Sequence, residues 1–389
     1  MTNSEKTMTS RERVLTALNH QEPDRVPVDL ASTQVTAISL KAYQNLRRFL
    51  GLPETNPVVP DRNQQICIPD DDILDRFQVD VRGLYPLMNS NNFTDEDDGE
   101  YLHHIDEWGL GYRFNKKDGL WYDLYLSPMA SVEISSSYLQ NYPFPDGGDP
   151  SRIKGLREEA EEYRDSGYPV FLKSVSAGLF EMAIRLRGME NALMDLMLDK
   201  KHAEELLDKI LEVKLNYWDM ALTDLADVVD VIAEADDFGS QESQLISFDT
   251  FREIIKPRQQ ELISFMRKKA PNAKIFFHSC GNIRPLLPEF IEMGIDIINP
   301  VHIRAKGMEP QRLKKDFGSD IVFWGGGIDT QETLPNGTPE QVRDEVKRNI
   351  ESLAPGGGFV FNTIHNIQAD VPPENIVAMY ETVAEFGKY

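Results

Sequence analysis

The sequence predicts a (β/α)8 barrel, also called a TIM barrel, and three observations support this fold class. Eight short apolar runs of strand length alternate with longer amphipathic stretches, which is the pattern of βα units around a parallel sheet. Polar residues with reactive side chains follow several of these runs, as expected for strands whose ends form an active site. The 389 residues suit one barrel with an insertion, so we expect a single domain over residues 1–389.

The elements follow in order from apolar periodicity and from start and stop signals. Ser10 can cap a first helix over 11–19, and Pro23 and Pro27 mark the turn before the first strand. The predicted strands cover residues 26–30, 79–83, 170–174, 228–233, 274–280, 295–299, 321–324 and 358–362. The clearest helices cover residues 201–226, 250–269, 283–293, 339–353 and 373–386.

Residues 89–143 interrupt this alternation and are predicted to be an insertion. The runs 101–114 and 120–134 alternate like antiparallel strands around a turn at 116–119. We expect an antiparallel hairpin that covers the mouth of the barrel. Its aromatic residues are candidates for a wall of the substrate site: Trp108, Tyr112, Trp121 and Tyr122.

Charge and composition exclude several classes of function. The chain has 41 Lys and Arg against 64 Asp and Glu, a net charge of −23, which would repel nucleic acid and anionic membrane surfaces. The N-terminus is polar and no run approaches the length of a membrane span, so we expect a cytoplasmic protein with no membrane partner. The two cysteines, Cys67 and Cys280, must be interpreted from their neighbours.

The end of the fifth predicted strand contains the strongest candidate for chemistry. His278 and Cys280 are two residues apart, so on a strand their side chains point the same way, towards the barrel mouth. Imidazole nitrogen and thiolate sulfur are the ligands that Zn²⁺ prefers. His365, after the eighth strand, is a third candidate ligand that can face this pair across the mouth.

Carboxylates follow the third and fourth strands. Asp236 is a candidate metal ligand or an orienter of a histidine, with a helix cap as its structural alternative. Glu181 is the alternative fourth ligand, although its place in the first turn of a helix favours a structural role. Asp237 and Gln241 are candidate catalytic residues that would orient the substrate or a metal-bound water.

Motifs along most of the chain resemble the uroporphyrinogen decarboxylase superfamily. They include Ser-Arg-Glu-Arg-Val-Leu at 10–15, Asp-Asp-Phe-Gly-Ser-Gln at 236–241 and Gly-Gly-Gly-Ile-Asp at 325–329. The resemblance also includes 277–282 and 372–375, and it implies a (β/α)8 barrel. True decarboxylases carry Met-Arg-Gln-Ala-Gly-Arg after the first strand, whereas residues 29–36 here contain no arginine. A porphyrinogen with many carboxylates is therefore disfavoured as the substrate.

The other branch of the superfamily consists of zinc-dependent, corrinoid-linked methyltransferases. Their His-x-Cys motif matches His278 and Cys280, and His365 stands where they have a further cysteine. This resemblance implies Zn²⁺ as cofactor and a methyl transfer from a small methylated compound, expected to be a methoxylated aromatic, to the cobalt of a separate corrinoid protein. A homodimer is a candidate assembly.

Two alternatives stay open at this level. One is a lyase that acts on a smaller acid through Asp236 and His365 without metal. The other is a barrel that binds a ligand or partner without catalysis. The presence or absence of stoichiometric zinc separates the methyltransferase from the lyase.

Overall fold

The fold is known from a computed structural model that describes residues 8–87 and 94–389. The strands, in chain order, are β1 (Ile38–Ser39), β2 (Ile66–Cys67), β3 (Arg82–Leu84), β4 (Glu96–Asp97), β5 (Tyr101–Ile105), β6 (Gly111–Asn115), β7 (Asp123–Leu126), β8 (Val170–Lys173), β9 (Val231–Ala235), β10 (Lys274–His278), β11 (Ile297–Asn299), β12 (Val322–Trp324) and β13 (Phe359–Val360). The α-helices are α1 (Ser10–Leu18), α2 (Leu40–Phe49), α3 (Asp71–Arg76), α4 (Ser136–Asn141), α5 (Leu156–Asp165), α6 (Leu179–Arg187), α7 (Met189–Leu198), α8 (Lys200–Leu225), α9 (Phe248–Thr250), α10 (Lys256–Lys269), α11 (Leu287–Met293), α12 (Pro310–Phe317), α13 (Thr333–Asn336), α14 (Pro339–Leu353) and α15 (Pro373–Phe386).

A seven-stranded parallel sheet forms the centre of the molecule. Its strands are neighbours in chain order, from β3 through β8, β9, β10, β11 and β12 to β13. Helices lie between successive strands in the chain, as parallel connections require. The predicted α/β architecture is therefore confirmed.

The segment predicted as the first strand, 26–30, joins the two edges of this sheet. Val28 forms a parallel bridge with Phe361, and the Phe361 N–H donates to the Pro27 carbonyl at 2.8 Å. On the other side the Asp80 N–H donates to the Val28 carbonyl at 2.8 Å. The segment closes the barrel as an irregular strand. Pro27, which has no N–H to donate, interrupts regular pairing there.

Inside the barrel, side chains stack in layers along the axis. The rings of Phe171, Phe276 and Trp324 contact one another with centroids 5.0 to 5.6 Å apart. Phe277 points the opposite way, into the core between the sheet and the helices. Because strand residues alternate in direction, His278 at the end of β10 points inward and towards the mouth.

The insertion forms a four-stranded antiparallel sheet in the order β4, β5, β6 and β7. The run predicted as one strand over 101–114 is two strands, because Asp106 accepts hydrogen bonds from the N–H groups of Trp108 and Leu110 and closes a turn between them. The predicted turn at 116–119 does connect β6 to β7. The start of the predicted insertion, residues 89–93, lies outside the described residues.

The predicted helices are present, but Thr9 and not Ser10 caps the first one, and two others start differently. The stretch 250–269 begins with a π-helical turn, Phe251–Ile255, before α10, and the helix predicted from 283 begins at Leu287 after a 3₁₀ turn, Arg284–Leu286. Within residues 8–87 and 94–389, none of the helices has the length and apolar character needed to cross a membrane.

Candidate metal centre and substrate cavity

The structure brings His278, Cys280 and His365 together at the barrel mouth. One ligand atom from each lies within 4.8 Å of the others. Cys280 Sγ is 3.5 Å from His278 Nε2, and the two imidazole rings meet at 71° with centroids 5.7 Å apart. His278 and Cys280 lie 87 and 85 positions before His365 in the sequence, and the three donor atoms converge on one point.

The loop that carries Cys280 is held by its backbone. Gly281 adopts φ +85°, and a Cβ there would lie 2.3 Å from the Gly239 carbonyl oxygen, so only glycine permits this approach. The Gly281 N–H donates to His302 Nδ1 at 3.0 Å. His302, which carries no sequence signal, is therefore a positioning residue for this loop.

Asn299 fixes the ring orientation of His278. Its Nδ2 donates to the Trp324 carbonyl at 2.8 Å, which turns its Oδ1 towards His278 Nδ1 at 2.5 Å. The histidine therefore donates from Nδ1, and the lone pair of Nε2 faces Cys280. Metal-binding histidines are commonly oriented by such a partner.

Asn366 has the same effect on His365. Its Nδ2 donates to Gln64 Oε1 at 2.9 Å, and its Oδ1 faces His365 Nδ1 at 2.9 Å. Burial, followed by the neighbouring His278, lowers the pKa of His365 to about 4. His365 is thus neutral at pH 7, with its Nε2 lone pair available.

Asp237 lies beside the three donors. Its Oδ1 accepts the Cys280 N–H at 2.8 Å and is 3.8 Å from His278 Nε2. Burial, together with Asp237 and Glu181, raises the pKa of the Cys280 thiol well above its usual value. A cation bound at this thiol would have to replace its proton.

The donor set fits a zinc ion. Two ligands of a tetrahedral zinc, at bond lengths of about 2.0 and 2.3 Å, lie roughly 3.5 Å apart. The separation of Cys280 Sγ from His278 Nε2, 3.5 Å, matches this value. Two histidines and one cysteine leave a fourth position open, which is typical of catalytic zinc sites.

Asp236, predicted as a metal ligand, has a different place. It is fully buried, and its oxygens accept the N–H groups of Phe180 and Glu181, both at 2.8 Å, and Gln259 Nε2 at 2.7 Å. These bonds cap the N-terminus of α6 and occupy both oxygens. The metal-ligand expectation is corrected, because the chain turns this side chain under the helix instead of into the cavity.

Gln241 and Glu181 also lie in places that differ from expectation. Gln241 lies on an exposed loop, where its Nε2 donates to Gln331 Oε1 at 2.5 Å, and it does not line the cavity. Glu181 does line the cavity, but its Oε1 is 2.5 Å from Arg185 Nη2, and it is not part of the three-residue group. Of the predicted catalytic pair, only Asp237 faces the site.

A cavity of about 380 Å³ lies between the barrel mouth and the insertion. His278, His365 and Asp237 line its barrel side. The four aromatic residues predicted as a wall all line the opposite side: Trp108, Tyr112, Trp121 and Tyr122. This volume and mixed lining suit a small ligand that has both apolar and polar groups.

Comparisons with known proteins agree with this architecture. Residues 133–386 match the profile of the family described as uroporphyrinogen decarboxylase (URO-D). The chain therefore belongs to the uroporphyrinogen decarboxylase family. Structural superposition with a methyltransferase from Methanosarcina mazei gives a TM-score of 0.61 over 97% of this chain and 99% of that chain, at 20% identity, which shows a shared fold.

Curated relatives come from both chemical branches of the family. A uroporphyrinogen decarboxylase of Chlorobium phaeobacteroides is 28% identical over 53% of this chain. A methylated-thiol–coenzyme M methyltransferase of Methanosarcina mazei is 26% identical over 60% of this chain. The chain spans only 56% and 58% of these two relatives, so their names identify the family and not the reaction.

Proposed function

We propose that this protein is a zinc-dependent methyltransferase that moves a methyl group from a small methylated compound, expected to be a methoxylated aromatic, to the cobalt of a separate corrinoid protein. The observation that carries this proposal is the convergence of His278, Cys280 and His365 on one point beside the cavity. The methyltransferase relative from Methanosarcina mazei supports the same reaction class. A cytoplasmic location and a homodimer stay predictions.

His278, Cys280 and His365 would hold the ion, with the fourth position left to the substrate. Zn²⁺, when bound, supplies Lewis acidity to the atom that leaves the methyl group. Asn299 and Asn366 keep both histidine Nε2 lone pairs directed at the site without rearrangement. Two histidines with a single thiolate make a less electron-rich site than a thiolate-rich one, which suits an ether oxygen better than a thiol.

The chain's other residues would bind and orient the donor. The aromatic wall offers ring faces to a methoxylated ring, and Asp237 lies close enough to His278 to orient a group at the fourth position. The methyl group passes as a cation equivalent to cobalt(I), which supplies the bonding electron pair. The donor leaves with the electrons of its former bond.

The metal-free lyase is less well supported than the methyltransferase. That alternative needs Asp236 in contact with the substrate, and this carboxylate is buried and engaged by Phe180, Glu181 and Gln259. Asp236 and His365 are the two groups predicted for the metal-free lyase, and only His365 is available to a substrate in the cavity.

The test combines metal analysis with a direct assay of transfer. Purified protein should contain one zinc per chain and convert a cobalt(I) corrinoid protein to the methylated form with a methoxyaromatic or a methylated thiol, followed by absorbance. His278→Ala should lose zinc and transfer, whereas Asn216→Ala, on an exposed face of α8, should keep both. Full transfer in protein verified to be free of zinc would contradict the proposal.

A further inference from the structure

Lys173 lies in the same layer of the barrel interior as His278. The Phe171 ring, two residues before Lys173 on β8, contacts the Phe276 ring, two residues before His278 on β10, with centroids 5.0 Å apart. Because side chains two apart on a strand point the same way, Lys173 and His278 both enter the next layer towards the mouth. Both line the cavity.

The ammonium group of Lys173 lacks an anionic partner within the described part of the chain. Its residue is only 5% exposed, yet Nζ makes neither a hydrogen bond nor an ion pair there and lies 5.5 Å from the centroid of the Tyr85 ring. Lys214, which is also buried, is 2.7 Å from Glu234 Oε2 and 3.1 Å from Ser174 Oγ. Burial lowers the pKa of Lys173, while the charge of Asp61 raises it. Because a buried cation is costly unless it is paired, a carboxylate on the ligand would stabilise the ammonium form of Lys173.

The carboxylates that line the cavity near Lys173 do not form an ion pair with it. Glu181 pairs with Arg185, and Arg62 pairs with Asp95. Asp61 also faces the cavity, but its oxygens accept from Gln64 N at 3.0 Å and Gln64 Nε2 at 3.2 Å, and it is not within ion-pair distance of Lys173.

The cavity limits the charge of its ligand. Its four carboxylates, Asp61, Asp106, Glu181 and Asp237, outnumber its three cations, Arg62, Lys173 and Arg185, of which Arg185 pairs with Glu181 and Arg62 with Asp95. A ligand with several negative charges would be repelled, whereas one negative group can be placed at the unpaired ammonium of Lys173.

We propose that Lys173 binds a single carboxylate on the substrate, so that the methyl donor is a methylated aromatic acid. This inference rests on the proposed function for the identity of the transferred group. The aromatic wall holds the ring, Lys173 holds the carboxylate, and the methylated substituent faces the three metal-binding candidates. Lys173 is thus the residue that determines specificity for an anionic over a neutral donor.

The test measures binding, so it does not depend on methyl transfer. The dissociation constants of 4-methoxybenzoate and neutral 4-methoxyphenol are compared by calorimetry with the purified protein. Lys173→Met should weaken binding of 4-methoxybenzoate by about tenfold or more, while 4-methoxyphenol changes by less than about threefold. Lys173→Arg should restore most of the affinity for 4-methoxybenzoate.

Controls separate this role from effects on folding or overall charge. Lys268→Met removes the same charge at an exposed position near the end of α10, and should leave both affinities unchanged. Thermal unfolding checks each variant, and Lys173→Gln replaces Lys173→Met if the latter does not fold.

The outcomes are distinct from those that test the proposed function. Equal weakening of both ligands, unchanged binding of 4-methoxybenzoate, or wild-type protein that prefers 4-methoxyphenol would each overturn the proposal. If transfer is absent but the charge-dependent binding is present, the proposed reaction fails and the assignment of Lys173 stands.

Discussion

Asn299 controls the direction of the His278 lone pair, so its removal should weaken the metal centre, in addition to removing the donor to the Trp324 carbonyl. We expect Asn299→Ala to weaken zinc binding by about 10- to 100-fold, because the ring can then rotate or change tautomer. A competition titration with a chromogenic chelator measures this loss. Asn216→Ala, on an exposed face of α8, is the matched control. Equal zinc affinity in both variants would show that Asn299 does not orient the ligand.

Asp29 should make stability depend on pH. Burial raises the pKa of Asp29 from 3.8 to about 6, despite hydrogen bonds from Ser32 and Trp324 that lower it. Its stabilising contribution is therefore fully present below about pH 4 and is lost as the pH rises through about 6.

Asn in place of Asp29 removes this titration. Wild type should lose about 1–3 kcal/mol of its free energy of unfolding between pH 4.5 and pH 7, and Asp29→Asn should not show this loss. Urea unfolding at both pH values measures the change. A difference between the two proteins that stays constant with pH would contradict the assignment.

The start of α6 depends on a side chain from another element. Asp236, directly after β9, supplies the acceptors for the first N–H groups of α6. Asp236→Ala should therefore lower the free energy of unfolding by about 2–4 kcal/mol, since it leaves buried donors unpaired.

Zinc content distinguishes this capping role from metal ligation. Asp236→Ala should retain one zinc per folded chain, and Asp236→Asn, which keeps one acceptor oxygen, should lose less stability. Loss of zinc from a folded, stable variant would restore Asp236 as a ligand.

The insertion contributes to the site through the side of its sheet that faces the barrel. Trp121 and Tyr125 are equally exposed, at 44% each, but only Trp121 lines the cavity. Trp121→Ala should weaken binding of a methoxyaromatic by roughly 5- to 50-fold, because it removes a ring face from the wall. Calorimetry should show little change for Tyr125→Ala. Equal effects would indicate that the sheet acts only through its stability.

At the scale of the whole molecule, zinc would connect the end of β10 to the loop after β13. Because an ion that binds only the folded state stabilises it by mass action, zinc at 100 times its dissociation constant should add about 2.7 kcal/mol. Chelation should thus lower the melting temperature and leave far-UV circular dichroism unchanged, since the large apolar core does not depend on the ion. A melting temperature independent of zinc would contradict a metal site in the folded protein.

Sequence periodicity was sufficient to predict the barrel, because strand and helix periods are local properties of the chain. The helices 339–353 and 373–386 match α14 and α15. The alternation of apolar and polar residues was insufficient in two places. The run 101–114 contains a turn because Asp106 accepts N–H groups within it, and 26–30 is irregular because Pro27 has no N–H to donate.

The candidate site, like the fold, was predicted only in part from the sequence. The types and spacing of His278 and Cys280 indicate metal chemistry from sequence, although β10 ends at His278 and Cys280, the last residue of the predicted strand 274–280, lies in the loop after it. Which of Asp236 and Asp237 faces the cavity, and which partners orient the histidines, depends on how separate strands meet. Asn299, Asn366, His302 and Lys173 acquire their roles only when barrel closure brings distant segments together, since hydrogen bonds and charge pairing act over a few ångströms in space and not along the chain.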